Sequence, residues 1–116
     1  MLAKKFRFHG YGSLKFVYSK GKTARSRYLS LKYCANSRRE DSRLAVVVSK
    51  KNTKIAPRRN RMRRRIYEAV RARWSMIKPG YDLVITVFDD RVGTVPATEI
   101  DQLVHELLSQ ANLYKD

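Results

Sequence analysis

Six arginines packed into eight consecutive positions are the residues best suited to chemistry in this sequence. They are Arg58, Arg59, Arg61, Arg63, Arg64 and Arg65, with Asn60 among them. A guanidinium group donates two parallel hydrogen bonds to phosphate oxygens, which a lysine ammonium cannot do. Asn60 adds a neutral donor and acceptor suited to a sugar hydroxyl or a base edge. Because neighbouring cations repel one another on a helix, we expect an anionic partner in the working state.

The distribution of charge along the chain also indicates an anionic partner. The 116 residues carry 26 Lys and Arg against 10 Asp and Glu, a formal net charge of +16. Residues 1–78 contain 24 basic and 3 acidic side chains, whereas residues 79–116 contain 2 basic and 7 acidic side chains. This asymmetry predicts a nucleic-acid-binding surface. The alternatives are an anionic membrane surface and a solvated, nuclear-localisation-like arginine run.

The sequence contains no arrangement of side chains typical of protein-based catalysis. His9 and His105 belong to separate predicted elements, and Asp89 and Asp90 fall in a predicted turn, where aspartates serve turn geometry. Glycine-rich phosphate loops, metal-ligand spacings and nucleophile motifs are absent. Cys34 is the single cysteine, which excludes an internal disulfide and a multi-cysteine zinc site. If the chain takes part in an enzyme, we expect another component to supply the reaction centre.

Length and composition predict one domain spanning residues 1–116, in which residues 1–12 form a basic, weakly structured arm. Apolar residues make up 43% of the chain, enough for a packed core despite 31% charged residues. The longest apolar run, Leu44–Val48, is too short for a membrane span or a signal-peptide core. We therefore expect a cytoplasmic protein with no membrane partner.

Hydrophobic periodicity predicts the elements that position these residues, in the order αββαβα. Helices are predicted over 14–20, over 57–77 and from 98 onward, and strands over 27–34, 43–49 and 81–88. A polar turn at 36–41 favours a hairpin between the first two strands, and the strand–helix–strand succession favours one parallel pair in a mixed sheet. Thr98 is expected to cap the last helix in a capping box with Asp101.

Two surfaces follow from this pattern. The long helix has one buried stripe, in which Trp74 is interpreted as a core residue and not as a base-stacking platform. The stripe comprises Met62, Ile66, Ala69, Val70, Trp74 and Ile77. The strands 27–34 and 43–49 keep one face partly polar. That face is either a half-solvated sheet surface or a shallow groove for an extended nucleic-acid strand, and the pattern alone leaves both open.

Several motifs in this order resemble the bacterial ribonuclease P protein component. VSKK at 48–51 is followed by RNR at 59–61 and MRRRIYEAV at 62–70; FVYSKG at 16–21, RYLSLKY at 27–33, PGYDLVI at 79–85 and LYK at 113–115 fall in the expected places. The resemblance covers nearly the whole chain. The departures are a link at 52–58 that lacks glycine and is one residue longer, Tyr67 near an expected arginine, and Leu14 and Lys32 where aromatic residues are usual.

The resemblance implies an α+β fold with a mixed four-stranded sheet, helices packed on one face, and a split βαβ unit with a left-handed crossover. It implies the protein subunit of a ribonucleoprotein endoribonuclease that removes the 5′ leader of precursor tRNA. The catalytic centre and its magnesium ions would lie in the RNA, with no cofactor bound by the protein alone. Without RNA the protein would be a monomer. A ribosomal protein and a DNA-binding regulator with its arginine helix in a major groove are the alternatives.

The resemblance also assigns site residues to two partners. Catalytic-RNA binding falls to Arg58, Arg59, Asn60, Arg61, Arg63, Arg64 and Arg65. The cleft for the single-stranded leader would be lined by Leu14, Tyr18, Ser30, Lys32, Val47 and Lys51. These residues lie in the long helix, the first helix and the partly open sheet face.

Overall fold

Four strands form a mixed sheet at the centre of the fold. The structure is a computed structural model that describes residues 3–7, 11–38, 40–49 and 54–115. The described residues comprise the elements α1 (Tyr11–Lys20), β1 (Lys22–Arg25), β2 (Leu29–Ala35), β3 (Arg43–Val48), α2 (Ala56–Arg71), β4 (Tyr81–Val87) and α3 (Ala97–Gln110). The strand order is β1-β2-β4-β3, with β3 parallel to β4 and the other pairs antiparallel. The predicted α+β class with a four-stranded mixed sheet is confirmed.

β4 occupies a central position in the sheet because it is apolar on both faces. Leu83, Val84 and Ile85 are all buried, and β4 pairs with β2 on one side and β3 on the other. The predicted hairpin between β2 and β3 is therefore wrong, since β4 lies between them. The parallel strands β3 and β4 are direct neighbours, so no strand splits the βαβ unit itself. The handedness of its crossover stays a prediction.

β1 is a strand that the hydrophobic pattern did not reveal, because Ala24 is its one buried residue. It pairs with β2 from Lys22 opposite Tyr33 to Arg25 opposite Ser30. Gly21 makes the tight connection from α1 possible. A Cβ atom there would lie 2.5 Å from the Val17 carbonyl oxygen and 2.9 Å from that of Tyr33, so a larger residue would displace backbone.

The helices lie on both faces of the sheet. α2 and α3 pack on the face that carries Leu31, Val46 and Ile85, and form the main core there. α1 packs on the opposite face, where Val17 is buried with Ala45 and Val84. The prediction that the helices pack on one face thus holds for α2 and α3 and is wrong for α1, because β3 and β4 bury apolar side chains on both of their faces. No helix in the described ranges is long and apolar enough to cross a membrane.

α2 has the predicted buried stripe but ends earlier than predicted. Met62, Ile66 and Val70 are buried, whereas the helix stops at Arg71 and a 3-10 turn follows over Trp74–Met76. The Trp74 ring packs against the core, with its centroid 5.4 Å from that of the Phe6 ring, so its interpretation as a core residue is confirmed.

α3 begins without the predicted capping box. Pro96 is the N-cap residue, and Thr98 already lies inside the helix. The Asp101 carboxylate instead accepts a hydrogen bond of 2.6 Å from the Arg73 guanidinium. Asp101 thus forms an ion pair with Arg73, in the turn after α2, and in the described part of the chain no side chain caps the start of α3 by a hydrogen bond.

The described part of the predicted arm is ordered. Lys4–Phe6 forms a 3-10 turn, Arg7 makes a parallel bridge to Leu44 of β3, and the Phe6 ring packs on the core. The expectation of weak structure is therefore wrong for residues 3–7, because β3 at the end of the strand order offers backbone groups for pairing. Residues 1–2 and 8–10 of the arm lie outside the described residues.

Candidate nucleic-acid interface

α2 distributes its arginines around three sides, because successive residues on a helix are about 100° apart. Arg59 and Arg63 lie on the side toward β3. An Arg59 terminal nitrogen donates to the Val48 carbonyl oxygen at 3.1 Å, and Arg63 Nε donates to that of Val46 at 3.4 Å. These two bonds fix both arginines beside the end strand while leaving further guanidinium N–H groups for a ligand.

Arg61 and Arg65 lie on the other side of α2, against the 3-10 turn Asp90–Gly93. Arg61 Nε donates to the Gly93 carbonyl oxygen at 2.8 Å. Arg65 donates to the Val92 carbonyl oxygen at 2.7 Å and also to that of Val95. Burial, and then the neighbouring charge of Arg61, lower the pKa of Arg65. The Arg65 guanidinium thus connects α2 to the segment before α3, and its contact with the catalytic RNA stays a prediction.

The third side of α2 faces away from the protein. Asn60 and Arg64 are exposed there, and the Asn60 amide oxygen accepts a hydrogen bond of 3.0 Å from Arg63. Arg58 is also exposed, but it lies toward the Arg61 side of α2, where both arginines line a depression beside Gly93. Within the described ranges, the Arg58 and Arg64 side chains have no hydrogen-bond or ion-pair partner. The first turn of α2 carries no acidic residue that would offset their charge. We call the six residues Arg58, Arg59, Asn60, Arg61, Arg63 and Arg64 the arginine surface.

Tyr67 lies on a buried side of α2, next to β3 and to the arginine surface. Its side chain is 6% exposed. Burial raises the pKa of Tyr67, and a hydrogen bond from the Val46 backbone and the charges of Arg7 and Arg63 oppose that rise. Tyr67, one of the departures from the family pattern, is therefore a buried residue of α2 that lies beside β3.

The predicted cleft residues come together on the sheet face that carries α1. Ser30 and Val47 are both in register with Thr86 of β4, so the three form one row across the sheet. Lys32 belongs to the next row of the same face. Leu14 and Val47 pack around the buried Val17. Lys51, the remaining predicted member, lies outside the described residues.

Tyr18 closes one side of this cleft. Its hydroxyl lies 3.2 Å from the Thr86 hydroxyl, and its side chain is 42% exposed. Thr86 is not among the predicted cleft residues, although its place two residues after Val84 puts both on the same face of the strand. We call the surface formed by Leu14, Tyr18, Ser30, Lys32, Val47 and Thr86 the cleft.

β3 joins the cleft to the arginine surface. The Val47 side chain faces the cleft, whereas the carbonyl oxygens of Val46 and Val48 accept hydrogen bonds from Arg63 and Arg59. One continuous ligand can therefore contact both surfaces.

No group of three or more His, Cys, Asp or Glu side chains in the described ranges is placed to hold a metal ion. His105 Nδ1 lies 3.0 Å from the Tyr114 hydroxyl. Asp89 accepts a hydrogen bond of 2.9 Å from the Arg91 backbone N–H, the turn role that the sequence predicts. His9 lies outside the described residues.

The chain matches known proteins over most of its length. The family model described as Ribonuclease P matches residues 2–112. The ribonuclease P protein component of Pseudanabaena sp. is 42% identical over 71 residues, which cover 61% of this chain and 61% of that protein. The counterpart from Synechocystis sp. is 31% identical over 112 residues, which cover 97% of this chain and 90% of that protein.

Solved structures show the same fold. The RNase P protein of Staphylococcus aureus matches with a TM-score of 0.84 at 23% identity, covering 95% of this chain and 98% of that one. The RNase P protein from Thermotoga maritima matches with a TM-score of 0.74 at 25% identity, covering 84% of this chain and 89% of that one. On the family match and the relatives, this chain belongs to the ribonuclease P protein component family.

Proposed function

We propose that this protein binds the catalytic RNA of ribonuclease P and the single-stranded 5′ leader of precursor tRNA, and so assists endonucleolytic removal of the leader. The observation that supports this proposal best is the continuity of the arginine surface and the cleft across β3. An RNA held on α2 would lie beside the face on which the leader extends.

The arginine surface is suited to structured RNA. Arg58 and Arg64 are exposed, and Arg59, Arg61 and Arg63 are each oriented by a backbone carbonyl. Guanidinium groups that are already oriented lose less conformational entropy when they bind phosphates. This surface is therefore the proposed site for the catalytic RNA.

The cleft is suited to a single strand without sequence preference. The exposed Tyr18 ring can stack on any base, because every base has a π face. Lys32 lies on the same sheet face, where a phosphate backbone would follow the strands. Affinity is then expected to depend on the length of the leader more than on its sequence.

In this proposal the protein supplies binding and not the reaction centre. The RNA and the substrate would hold the magnesium ions that the reaction requires, and the protein would bind no cofactor alone. The protein positions the precursor tRNA against that centre by binding its leader. It acts in the cytoplasm and is a monomer in the absence of RNA.

Reconstitution with a bacterial ribonuclease P RNA tests this function. At low magnesium concentration, the protein should increase precursor-tRNA cleavage, and Glu106→Gln on the exposed side of α3 should act like wild type. Cleavage that is independent of the protein, combined with stable co-sedimentation with ribosomal subunits, would favour the ribosomal alternative.

A further inference from the structure

α1 crosses the sheet face over Val84 and leaves a groove on each of its sides. Val17 of α1 is buried against Val84. On one side Tyr18 reaches Thr86, whereas on the other side Phe16 lines a depression together with Asp82. Thr86 and Asp82 are four residues apart on β4, which corresponds to roughly 13 Å along the strand. The cleft therefore occupies one of two grooves that flank α1.

The second groove presents an exposed aromatic ring. It contains a depression of about 430 Å³ lined by Phe16, Ala35, Asn36, Ser37, Arg38, Arg43 and Asp82. Phe16 is 54% exposed, more than any other large hydrophobic residue in the described part of the chain. A solvent-exposed aromatic ring of this kind stabilises a complex when a partner covers it.

The carboxylate in this groove does not repel an anionic ligand. Arg43 donates to both oxygens of Asp82, from Nε to Oδ1 and from a terminal nitrogen to Oδ2, at 2.9 Å each. The Asn36 amide donates to Oδ2 at 2.9 Å, and Asp82 is 5% exposed. The negative charge of Asp82 is thus balanced inside the protein.

Positive side chains lie in this groove and in the depression beside it. Arg38 is exposed, and its guanidinium has no hydrogen-bond or ion-pair partner among the residues that the structure describes. An adjoining depression of about 460 Å³ shares Ala35 and is lined by Lys20, Lys22 and Lys78. An aromatic ring between cations is the arrangement that binds single-stranded nucleic acid.

We propose that the second groove binds a further segment of the single-stranded leader, with a base stacked on Phe16 and neighbouring phosphates paired with Arg38 and Lys20. This inference rests on the proposed function, because the strand that occupies the cleft beside Tyr18 crosses α1 to reach Phe16. Leaders long enough to cross α1 gain the additional contact, and shorter leaders do not.

The test measures the affinity of the holoenzyme for precursor tRNAs whose leaders increase stepwise in length. Tyr18→Ala removes a contact of the cleft, whereas Phe16→Ala and Arg38→Gln remove contacts of the second groove. Met76→Ala is the matched control, because it truncates an exposed apolar side chain, 45% exposed, on the 3-10 turn after α2. Circular dichroism and thermal unfolding establish that each variant is folded.

We expect Phe16→Ala to weaken binding of long leaders about fivefold or more, as for loss of one stacked base, and to leave short leaders unchanged. Tyr18→Ala should weaken both classes, and Met76→Ala neither. If Phe16→Ala and Arg38→Gln bind long leaders like wild type while Tyr18→Ala does not, the second groove is refuted and the cleft is retained. An equal loss for tRNA without any leader also refutes it. If neither Tyr18→Ala nor Phe16→Ala matters at any length, the proposed leader binding itself fails.

Discussion

The Arg59 guanidinium donates to the carbonyl oxygen of Val48 at 3.1 Å, which connects the RNR motif (59–61) to the last residue of β3. Arg63 makes the equivalent contact with Val46. Charged side chains along the end strand of a sheet also hinder its pairing with other chains. The arginines of α2 therefore have a structural role beside the proposed RNA contacts, and mutations must separate the two.

Arg64 and Arg65 provide that separation, because they are adjacent in sequence and differ in their contacts. Arg64→Ala should weaken binding of the catalytic RNA and reduce the slope of log affinity against log salt by about one, without loss of stability. Arg65→Ala should reduce the free energy of unfolding by about 1–3 kcal/mol, because the Val92 and Val95 carbonyl groups lose their donors. Salt-dependent binding and urea unfolding measure these effects. Equal stability of the two variants would contradict the assignment.

Asp82 is predicted to be a structural carboxylate. Asp82→Ala removes both hydrogen bonds that the Arg43 guanidinium, 15% exposed, donates to this carboxylate, which should cost about 3 kcal/mol of unfolding free energy. Asp90→Ala, at an exposed carboxylate, is the control and should change stability by less than about 0.5 kcal/mol. A small effect of Asp82→Ala in chemical denaturation would show that the pair contributes little.

Tyr67 is expected to make the free energy of unfolding decrease at alkaline pH. Burial raises its folded-state pKa, so the stability that the neutral phenol provides is fully present below its unfolded pKa of about 10. That stability is lost as pH rises through the folded pKa. Tyr67→Phe should therefore show a smaller loss between pH 9 and 11 than wild type, although at pH 7 it is about 1 kcal/mol less stable without the hydroxyl's hydrogen bond. Parallel pH profiles of the two proteins would show that Tyr67 is not the group concerned.

α3 is predicted to be a core element that does not contact RNA. Leu107 is fully buried, and Leu107→Ala should destabilise the protein by about 2–5 kcal/mol. Glu106 is exposed on the same helix, and Glu106→Gln should leave RNA affinity nearly unchanged. Thermal unfolding and RNA titration measure the two effects. A large change in RNA affinity from Glu106→Gln would place α3 in the interface.

The sequence predicted features that depend on local periodicity. The stripe of Met62, Ile66 and Val70 was enough to find the buried side of α2. The alternation of side chains along β2 and along β3 was enough to place Ser30 and Val47 on one face of the sheet. Strand order could not be read in this way, because the insertion of β4 between β2 and β3 depends on long-range pairing. β1 was missed because a short end strand buries a single side chain, Ala24.

The direction in which each arginine side chain points could not be predicted from the sequence either. Arg64 and Arg65 have the same chemistry, and only the 3-10 turn at 90–93, distant in sequence, turns Arg65 inward. The contact of Tyr18 with Thr86 likewise requires α1 on the second face of the sheet. Residue type and spacing thus predicted the class of partner, whereas tertiary packing determined which side chains remain available to it.

The most direct test of the account compares protein-dependent affinity for precursor tRNA with and without a leader, in wild type and in Tyr18→Ala. Affinity should rise as the leader extends into the cleft, and Tyr18→Ala should flatten that rise. With about four phosphates neutralised, raising salt from about 50 to about 200 mM should weaken the leader contribution roughly fifty-fold. Equal affinity of wild-type holoenzyme for tRNA with and without a leader would contradict the account.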